Sequence, residues 1–225
     1  MIQHFLPITQ NVTLLGGGEV TPENLSECLT RAPDLVAADG GADLALGFGQ
    51  RPLAVVGDMD SVSDRAREAL GAQAFYETPD QDRTDFDKAL SLIEAPLILG
   101  LGFMGKRMDH TLAAFNTLIR QPDKPVILVG ESDIVFHLSR PLDITLPKDS
   151  AFALFPMAKC RVTSTGLKWP ATGMEMAPWA RIGTSNIVTG PRVSVQTDGP
   201  GMLVIVPRTH LDAVIAAVTA ATAVS

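Results

Sequence analysis

The sequence predicts an α/β fold in two parts: an N-terminal domain with a parallel sheet in three layers, and a C-terminal domain resembling an antiparallel β-sandwich. In the first part, short apolar runs such as Val12–Leu15 alternate with helical patterns such as Pro22–Arg31. Buried runs of this kind are typical of parallel strands covered by helices. After residue 131 the apolar segments follow one another too closely for helices, which favours antiparallel strands. We therefore predict domains at residues 1–135 and 136–225.

The elements follow from apolar runs that end in turn residues. The predicted strands of the first domain are Val12–Leu15, Leu35–Ala38, Leu53–Val56, Leu97–Leu99 and Val126–Val129. Its predicted helices are Pro22–Arg31, Ala42–Leu46, Asp64–Leu70, Thr84–Ile93 and Asp109–Ile119. The second domain is predicted to contain the strands Ile134–Leu138, Asp143–Leu146, Phe152–Phe155, Arg161–Thr163, Arg192–Thr197 and Met202–Val206, followed by a helix from Leu211 to Ala223.

The composition excludes several classes of protein. The chain has 225 residues, of which 46% are hydrophobic, so it can bury a core and is not intrinsically disordered. Its net charge of −7 is opposite to that of a protein that coats nucleic-acid phosphates, so we expect no nucleic-acid partner. The two cysteines, Cys28 and Cys160, form neither a zinc motif nor a disulfide framework.

Membrane and targeting segments are not expected. The N-terminal residues lack a basic segment followed by a long apolar run, which a signal peptide would require. The stretch Leu211–Val224 is interrupted by Asp212 and is shorter than the roughly 20 apolar residues that span a bilayer. We therefore expect a cytoplasmic protein with no membrane partner.

Four predicted strands end in glycine or aspartate, at Gly16–Gly18, Asp39–Gly41, Gly57–Asp58 and Gly100–Gly102. In open α/β sheets, ligands bind beyond the carboxyl ends of the strands, where these turns would meet. Glycine lets backbone N–H groups approach phosphate oxygens, and the following helix N-termini favour negative charge. Each turn taken alone is equally expected of an ordinary strand-to-helix connection.

Acidic residues are concentrated in the same region. Asp58 and Asp60 flank Met59, and Asp80, Asp82, Asp85 and Asp87 follow within eight residues. Carboxylates that converge on one crevice repel each other unless a cation is present, and Mg²⁺ prefers carboxylate and phosphate oxygens. The pattern therefore predicts a site for a metal and a nucleotide.

A structural explanation applies to some of these acids. Thr84 is a possible helix cap, and Asp85 and Asp87 would then only complement the helix dipole. The turn explanation is weaker for Asp58 and Asp60, because two acids beside a buried strand end are costly without a partner.

A basic pair follows another glycine in the segment Gly105–His110. Lys106 and Arg107 can hold a polyphosphate, the arginine through two parallel hydrogen bonds and the lysine as a point charge. For His110 we favour a structural histidine over a general base.

Six segments resemble, in order and spacing, the motif series of the thiamine pyrophosphokinase family. They are Asp39–Ala42, Gly57–Ser61, Asp80–Asp85, Gly105–His110, Thr165–Trp169 and Thr184–Asn186. The resemblance runs from about Val12 to Pro207. It implies transfer of a pyrophosphoryl group from Mg-ATP to the hydroxyl of thiamine, which yields AMP and thiamine diphosphate. It also implies an α/β catalytic domain, a β-rich thiamine domain, and a homodimer with thiamine at the subunit junction.

The resemblance assigns roles residue by residue. Mg²⁺ would be held by Asp58, Asp60 and Asp85, which with Arg107 and Asp109 form the expected catalytic set. The binding site for ATP and its phosphates would be lined by Asp39, Gly40, Gln81, Asp82, Gly105, Lys106, Arg107 and Asp109. Thiamine would be faced by Trp169, Ser185 and Asn186. An indole can stack on the pyrimidine or the thiazolium of thiamine, although Trp169 is also compatible with an ordinary core position.

The sequence departs from the family pattern at two places, and two alternative functions stay open. Lys106 stands where the family usually has a small residue, and the helix after Leu211 extends beyond its usual final strand. The Asp-x-Asp pattern of Asp58–Asp60 also occurs in glycosyltransferases that bind a metal and a nucleotide sugar. The other alternative is a non-catalytic sensor of thiamine or nucleotide that has kept the fold.

Overall fold

The computed structural model describes residue 6 and residues 8–222. Most of the N-terminal stretch inspected for a targeting signal, and the end of the last predicted helix at Ala223, lie outside the described residues. Two compact units are present: residues 1–117 with 128–130, and residues 118–127 with 131–225. The predicted boundary at residue 135 stays a prediction. Within the described part of the chain, no helix is both long and apolar enough to cross a membrane.

The first unit is built on parallel strands, as the fully buried apolar runs predict. The strands are β1 (Val12–Leu15), β2 (Asp34–Ala38), β3 (Ala54–Gly57), β4 (Phe75–Glu77), β5 (Ile98–Leu101) and β6 (Val126–Val129), the last of which belongs to the first unit only from residue 128. Their order is β6-β5-β1-β2-β3-β4, and the pairs from β5 to β4 are all parallel. Strands β1, β3, β5 and β6 are buried along their whole length, because helices cover a parallel sheet on both faces.

Helices connect these strands. They are α1 (Pro22–Arg31), α2 (Gly41–Gly47), α3 (Asp64–Leu70), α4 (Asp85–Leu92) and α5 (Met108–Arg120). Three begin at hydroxyl residues that accept a hydrogen bond from the first turn: Thr21 from Asn24 N, Ser63 from Ala66 N, and Thr84 from Asp87 N. The predicted cap at Thr84 is therefore present.

The second unit is antiparallel. Its strands are β7 (Asp133–His137), β8 (Leu142–Thr145), β9 (Ala151–Pro156), β10 (Cys160–Thr165), β11 (Met174–Met176), β12 (Gly183–Ile187), β13 (Arg192–Thr197) and β14 (Met202–Pro207). One group has the order β11-β10-β13-β8, the other β12-β9-β14-β7, and every pair within each group is antiparallel. Helix α6 (Leu211–Thr222) packs on β8, and its residues Leu211 and Val214 are buried.

The predicted fold class is confirmed, and three strands were missed. Strand β4 has three residues and follows a short 3₁₀ helix, Ala72–Ala74. Strands β11 and β12 are short, and much of β12 is polar and exposed. None of the three carries an apolar run, so their strand conformation comes from pairing with β3, β10 and β9.

Candidate functional site

The turns after β1, β2 and β5 pack against each other at the carboxyl end of the parallel strands. Gly18 N donates a hydrogen bond of 3.1 Å to Gly102 O, and a Cβ on Gly16 would lie 2.9 Å from the same oxygen. A Cβ on Gly17 would lie 3.6 Å from the Gly40 carbonyl carbon, in ordinary van der Waals contact. The glycines thus place three loop backbones side by side, as the position of these turns along the sequence predicts.

Three carboxylates converge beside these turns. Asp39, after β2, and Asp58 and Asp60, after β3, each place one carboxylate oxygen within 4.8 Å of the other two. Asp39 is buried, Asp58 is partly buried and Asp60 is exposed, so the cluster lies where the protein interior meets solvent. Asp39 was predicted to line the nucleotide path, and the geometry adds it to the potential metal ligands.

Asp85 is joined to this cluster through a lysine that the sequence analysis did not single out. Lys88 Nζ donates to Asp58 Oδ2 at 3.2 Å and to Asp85 Oδ1 at 3.0 Å, and the residue is only 1% exposed. Helix α4 packs on β2 and β3, which brings Lys88 beneath the strand ends. A lysine three residues after Asp85, among the buried residues Phe86 and Ala89, is the pattern that could have revealed it.

Gly57 leaves the space in which Asp39 and Asp85 approach each other. A Cβ at this position would lie 3.0 Å from Asp39 Cβ and 3.1 Å from Asp85 Oδ1. Any larger residue would therefore displace one of the two acids.

Burial and the lysine charge have opposing effects on the acids. Burial pushes the pKa of Asp58 upward, but the hydrogen bond and charge of Lys88 and the Gln81 amide outweigh it, so the pKa lies below its ordinary value. Burial lowers the pKa of Lys88, but Asp85 and Asp58 outweigh it and raise the pKa, so this buried lysine is charged at neutral pH. The pKa of Asp39 is raised, mainly by burial and in part by the negative charge of Asp85.

The loop before α4 contributes one direct contact to the cluster. Gln81 Nε2 donates to Asp58 Oδ2 at 3.1 Å. Asp82 is exposed, and its backbone N–H donates to Asp80 Oδ1 at 2.9 Å, while Asp80 pairs with Arg83 at 2.8 Å. The structure therefore brings Gln81 to the carboxylates, and it places Asp82 in the exposed turn next to them.

The segment Gly105–Asp109 forms an exposed loop that leads into α5. Gly105 has a φ of 103°, which favours glycine, and Lys106 is exposed beside it. The Arg107 guanidinium forms two hydrogen bonds with Asp109, of 3.3 and 2.5 Å, and this interaction lowers the pKa of the aspartate. The buried Thr111 hydroxyl accepts from Gly105 N at 3.2 Å and so ties the loop to the helix.

The residues of the cluster suit Mg²⁺. Asp58 Oδ1 is buried and has no hydrogen-bond partner among the described residues, so one strong acceptor is left unsatisfied. Lys88 supplies a single positive charge to a group of four acids. A hard divalent cation with a preference for carboxylate oxygens would satisfy both the acceptor and the charge.

A separate pocket of about 320 Å³ lies in the second unit. It is lined by Leu154, Ser164, Trp169, Pro170, Ala171, Met174, Met176, Arg181, Ile182, Gly183, Thr184 and Asn186. Its mixture of apolar, aromatic and a few polar groups is typical of sites for small organic ligands. Trp169 is 57% exposed and is thus not an ordinary core residue.

The side chain of Asn186 forms two hydrogen bonds with the backbone of Trp169. Its Oδ1 accepts from Trp169 N at 3.1 Å, and its Nδ2 donates to Trp169 O at 2.8 Å, so the amide fixes the backbone that carries the indole. The Lys168 ammonium lies 4.8 Å from the centre of the Trp169 ring, within the range of a cation–π contact. Ser185 lies in the bulge of β12 with a φ of 61°, beside the pocket rather than in its wall.

We expect Lys88→Met to lower the free energy of unfolding by about 3 kcal/mol, because Asp58 and Asp85 would lose their shared cation. Excess Mg²⁺ should raise the melting temperature of this variant more than that of the wild type, since a divalent cation replaces the missing charge. Thermal unfolding followed by circular dichroism measures both effects. Lys148→Met, at an exposed lysine, is the control. A variant as stable as this control and insensitive to Mg²⁺ would contradict the expectation.

Comparison with known proteins identifies the family. The family description "Thiamin pyrophosphokinase, catalytic domain" matches residues 25–128, and "Thiamin pyrophosphokinase, vitamin B1 binding domain" matches residues 138–201. Thiamine pyrophosphokinase 1 of Oryza sativa subsp. japonica is 30% identical over 185 residues, which cover 74% of this chain and 69% of that protein. Thiamine pyrophosphokinase 1 of Arabidopsis thaliana is 27% identical over 197 residues, covering 72% and 74% of the two chains.

A solved structure shares the fold. The thiamin pyrophosphokinase from Candida albicans superposes with a TM-score of 0.74 at 19% identity, over 88% of this chain and 89% of that one. The family matches and the relatives agree with the family that the sequence resembles, and the solved structure agrees with the fold. The chain belongs to the thiamine pyrophosphokinase family and is an enzyme of that type.

Proposed function

We propose that this enzyme transfers the terminal pyrophosphoryl group of ATP to the hydroxyl of thiamine, giving AMP and thiamine diphosphate. The observation that supports it most directly is the convergence of Asp39, Asp58 and Asp60 next to glycine turns at the carboxyl end of the sheet. A carboxylate cluster beside glycine turns, which have no side chains to obstruct a phosphate, suits a metal-bound polyphosphate. In the proposed reaction the thiamine oxygen bonds to the β-phosphorus, the bond between the α,β-bridging oxygen and that phosphorus breaks, and the hydroxyl proton is released.

The metal-binding part of the proposal uses acids from three positions in the fold. Asp58, Asp60 and Asp85 would hold Mg²⁺. Asp39 is a further candidate ligand, because one of its carboxylate oxygens lies within 4.8 Å of those of Asp58 and Asp60. The ion would neutralise phosphate charge and align the polyphosphate. Lys88 keeps Asp58 and Asp85 together, and Gln81 orients the Asp58 carboxylate. No covalent nucleophile is required, because phosphoryl chemistry depends mainly on position and charge.

The phosphates would be bound by the glycine turns and the exposed basic loop. Gly40 and Gly105 offer backbone approach, and Lys106 and Arg107 offer charge. Arg107 already presents two N–H donors to the Asp109 carboxylate, the same arrangement by which arginine binds a phosphate. A phosphate would therefore compete with Asp109 for these two donors. Asp82, in the exposed turn near Gln81, would contact the nucleotide.

Thiamine would occupy the pocket beside Trp169. The indole face would stack on an aromatic ring of thiamine or attract its thiazolium charge. Asn186 would act by holding Trp169. Ser185 lies beside the pocket wall, and its proposed contact with thiamine rests on the family resemblance. On the family resemblance we also propose a homodimer. The cytoplasmic location stays a prediction.

Phosphorus NMR of the purified protein with Mg-ATP, with and without thiamine, tests the reaction. Thiamine-dependent AMP and thiamine diphosphate are expected. Thiamine-dependent ADP would mean that a single phosphate moves, and the proposal would be wrong. Binding of both ligands without product would instead indicate a sensor, and Mg²⁺-dependent cleavage of a sugar nucleotide without a response to thiamine would indicate a glycosyltransferase.

We expect Asp58→Asn to reduce kcat at least about 100-fold while the protein remains folded, because it removes a formal charge from the proposed metal site. Asp85→Asn should also abolish most turnover. Steady-state assays over a range of Mg²⁺ concentrations measure the effect. The matched control is Asp64→Asn, on the exposed face of α3. Near-normal activity of Asp58→Asn and of Asp85→Asn at limiting Mg²⁺ would overturn the metal assignment.

Trp169→Ala should raise KM for thiamine about tenfold and change KM for ATP much less, because the indole is proposed to contact thiamine alone. Trp179→Ala is the control, since Trp179 is 76% exposed and does not line the pocket. Equal effects of the two substitutions on the thiamine dependence would exclude the proposed stacking.

A further inference from the structure

The residue between the two central acids has an unusual backbone conformation. Met59 has a φ of 65°, in the left-handed region that residues other than glycine rarely adopt. Its side chain is 5% exposed and packs in a core cluster with Val55, Val62 and Ala66. The buried methionine thus anchors the loop from below, while Asp58 and Asp60 on either side carry their carboxylates into the acidic cluster.

The side chain of Arg67, which belongs to neither the core cluster nor the acidic cluster, stabilises this conformation. Arg67 Nη2, from α3, donates a hydrogen bond of 2.6 Å to the Met59 carbonyl oxygen. Its guanidinium lies 5.9 Å from the centre of the Phe75 ring, which leaves the group placed between β4 and the loop. The contact gives a hydrogen-bond partner to the carbonyl of Met59, a residue that lies between β3 and α3 and outside both.

We propose that Arg67 is a positioning residue for the metal site, because it fixes the peptide that joins Asp58 and Asp60. The proposal rests on the metal role given above to these two acids. Rotation of Met59 out of the left-handed region would change the directions in which the flanking carboxylates point. The hydrogen bond from Arg67 opposes that rotation, and the planar guanidinium can serve the carbonyl and the aromatic face at once.

The position of Arg67 separates this role from a general contribution to stability. The residue is exposed, whereas the core cluster beneath the loop is formed by Met59 and its apolar neighbours. Loss of the guanidinium should therefore affect the geometry of the acids more than the packing of the unit. Residues that orient metal ligands typically change metal affinity by about 10- to 100-fold when substituted.

Mn²⁺ binding to the protein without thiamine or ATP, followed by the electron paramagnetic resonance signal of free Mn²⁺, tests the proposal. Arg67→Met should weaken Mn²⁺ binding about tenfold, and Arg67→Lys should restore part of it, because lysine retains a donor and the charge. In assays, the Mg²⁺ concentration for half-maximal rate should rise in Arg67→Met while KM for thiamine stays constant. The matched control is Arg65→Met, two residues earlier on the same helix and exposed.

The outcomes separate this proposal from the metal assignment. Wild-type binding that is weakened by Asp58→Asn but unchanged in Arg67→Met would overturn the role of Arg67 alone. Binding unaffected by Asp58→Asn would overturn the metal site itself. If Arg67→Met does not fold, the folded Arg67→Lys variant decides the question, and Mn²⁺ affinity and Mg²⁺ dependence equal to the wild type in that variant would reject a role for the guanidinium.

Discussion

Electrostatic repulsion among acids at the carboxyl end of the parallel strands is the constraint on which the first unit depends. Strand order brings Asp39, Asp58 and Asp60 together, and the packing of α4 on β2 and β3 adds Asp85. Lys88 places its positive charge between Asp58 and Asp85. A lysine almost fully removed from solvent is costly unless it is paired, and here two carboxylates pair with it. The arrangement is thus neutralised only in part, and this is the physical basis on which we propose a further cation there.

The close approach of the loops imposes a second constraint. A side chain at Gly18 would collide with the Gly102 carbonyl oxygen, and one at Gly41 would collide with that of Leu15. Only glycine allows these turns to pack so closely, and this packing places the start of α2 next to the first glycine loop. The strands thus place the turns that carry the candidate ligand-binding residues at one edge of the sheet, as is common in α/β enzymes.

The main feature of the second unit is an exposed aromatic ring in the wall of a pocket. Trp169 leaves its indole exposed because Asn186, buried behind it, bonds to the backbone on both sides of the residue. The bulge between Gly183 and Asn186 makes this possible, since it turns the asparagine inward at the end of β12. Asn186, in the segment Thr184–Asn186, thus supports Trp169, in the segment Thr165–Trp169.

The sequence by itself determined most elements of both units, because apolar runs and capping residues are local signals: β1 and α1 were predicted to the residue. It also identified the acids and glycines at the strand ends. Tertiary structure alone decided that Asp39 completes a three-oxygen cluster, that Lys88 bridges Asp58 and Asp85, and that Ser185 lies in a bulge. The short strands β4, β11 and β12 likewise depend on their partners. Distances between side chains of different elements are set by strand register and helix packing, which no local pattern encodes.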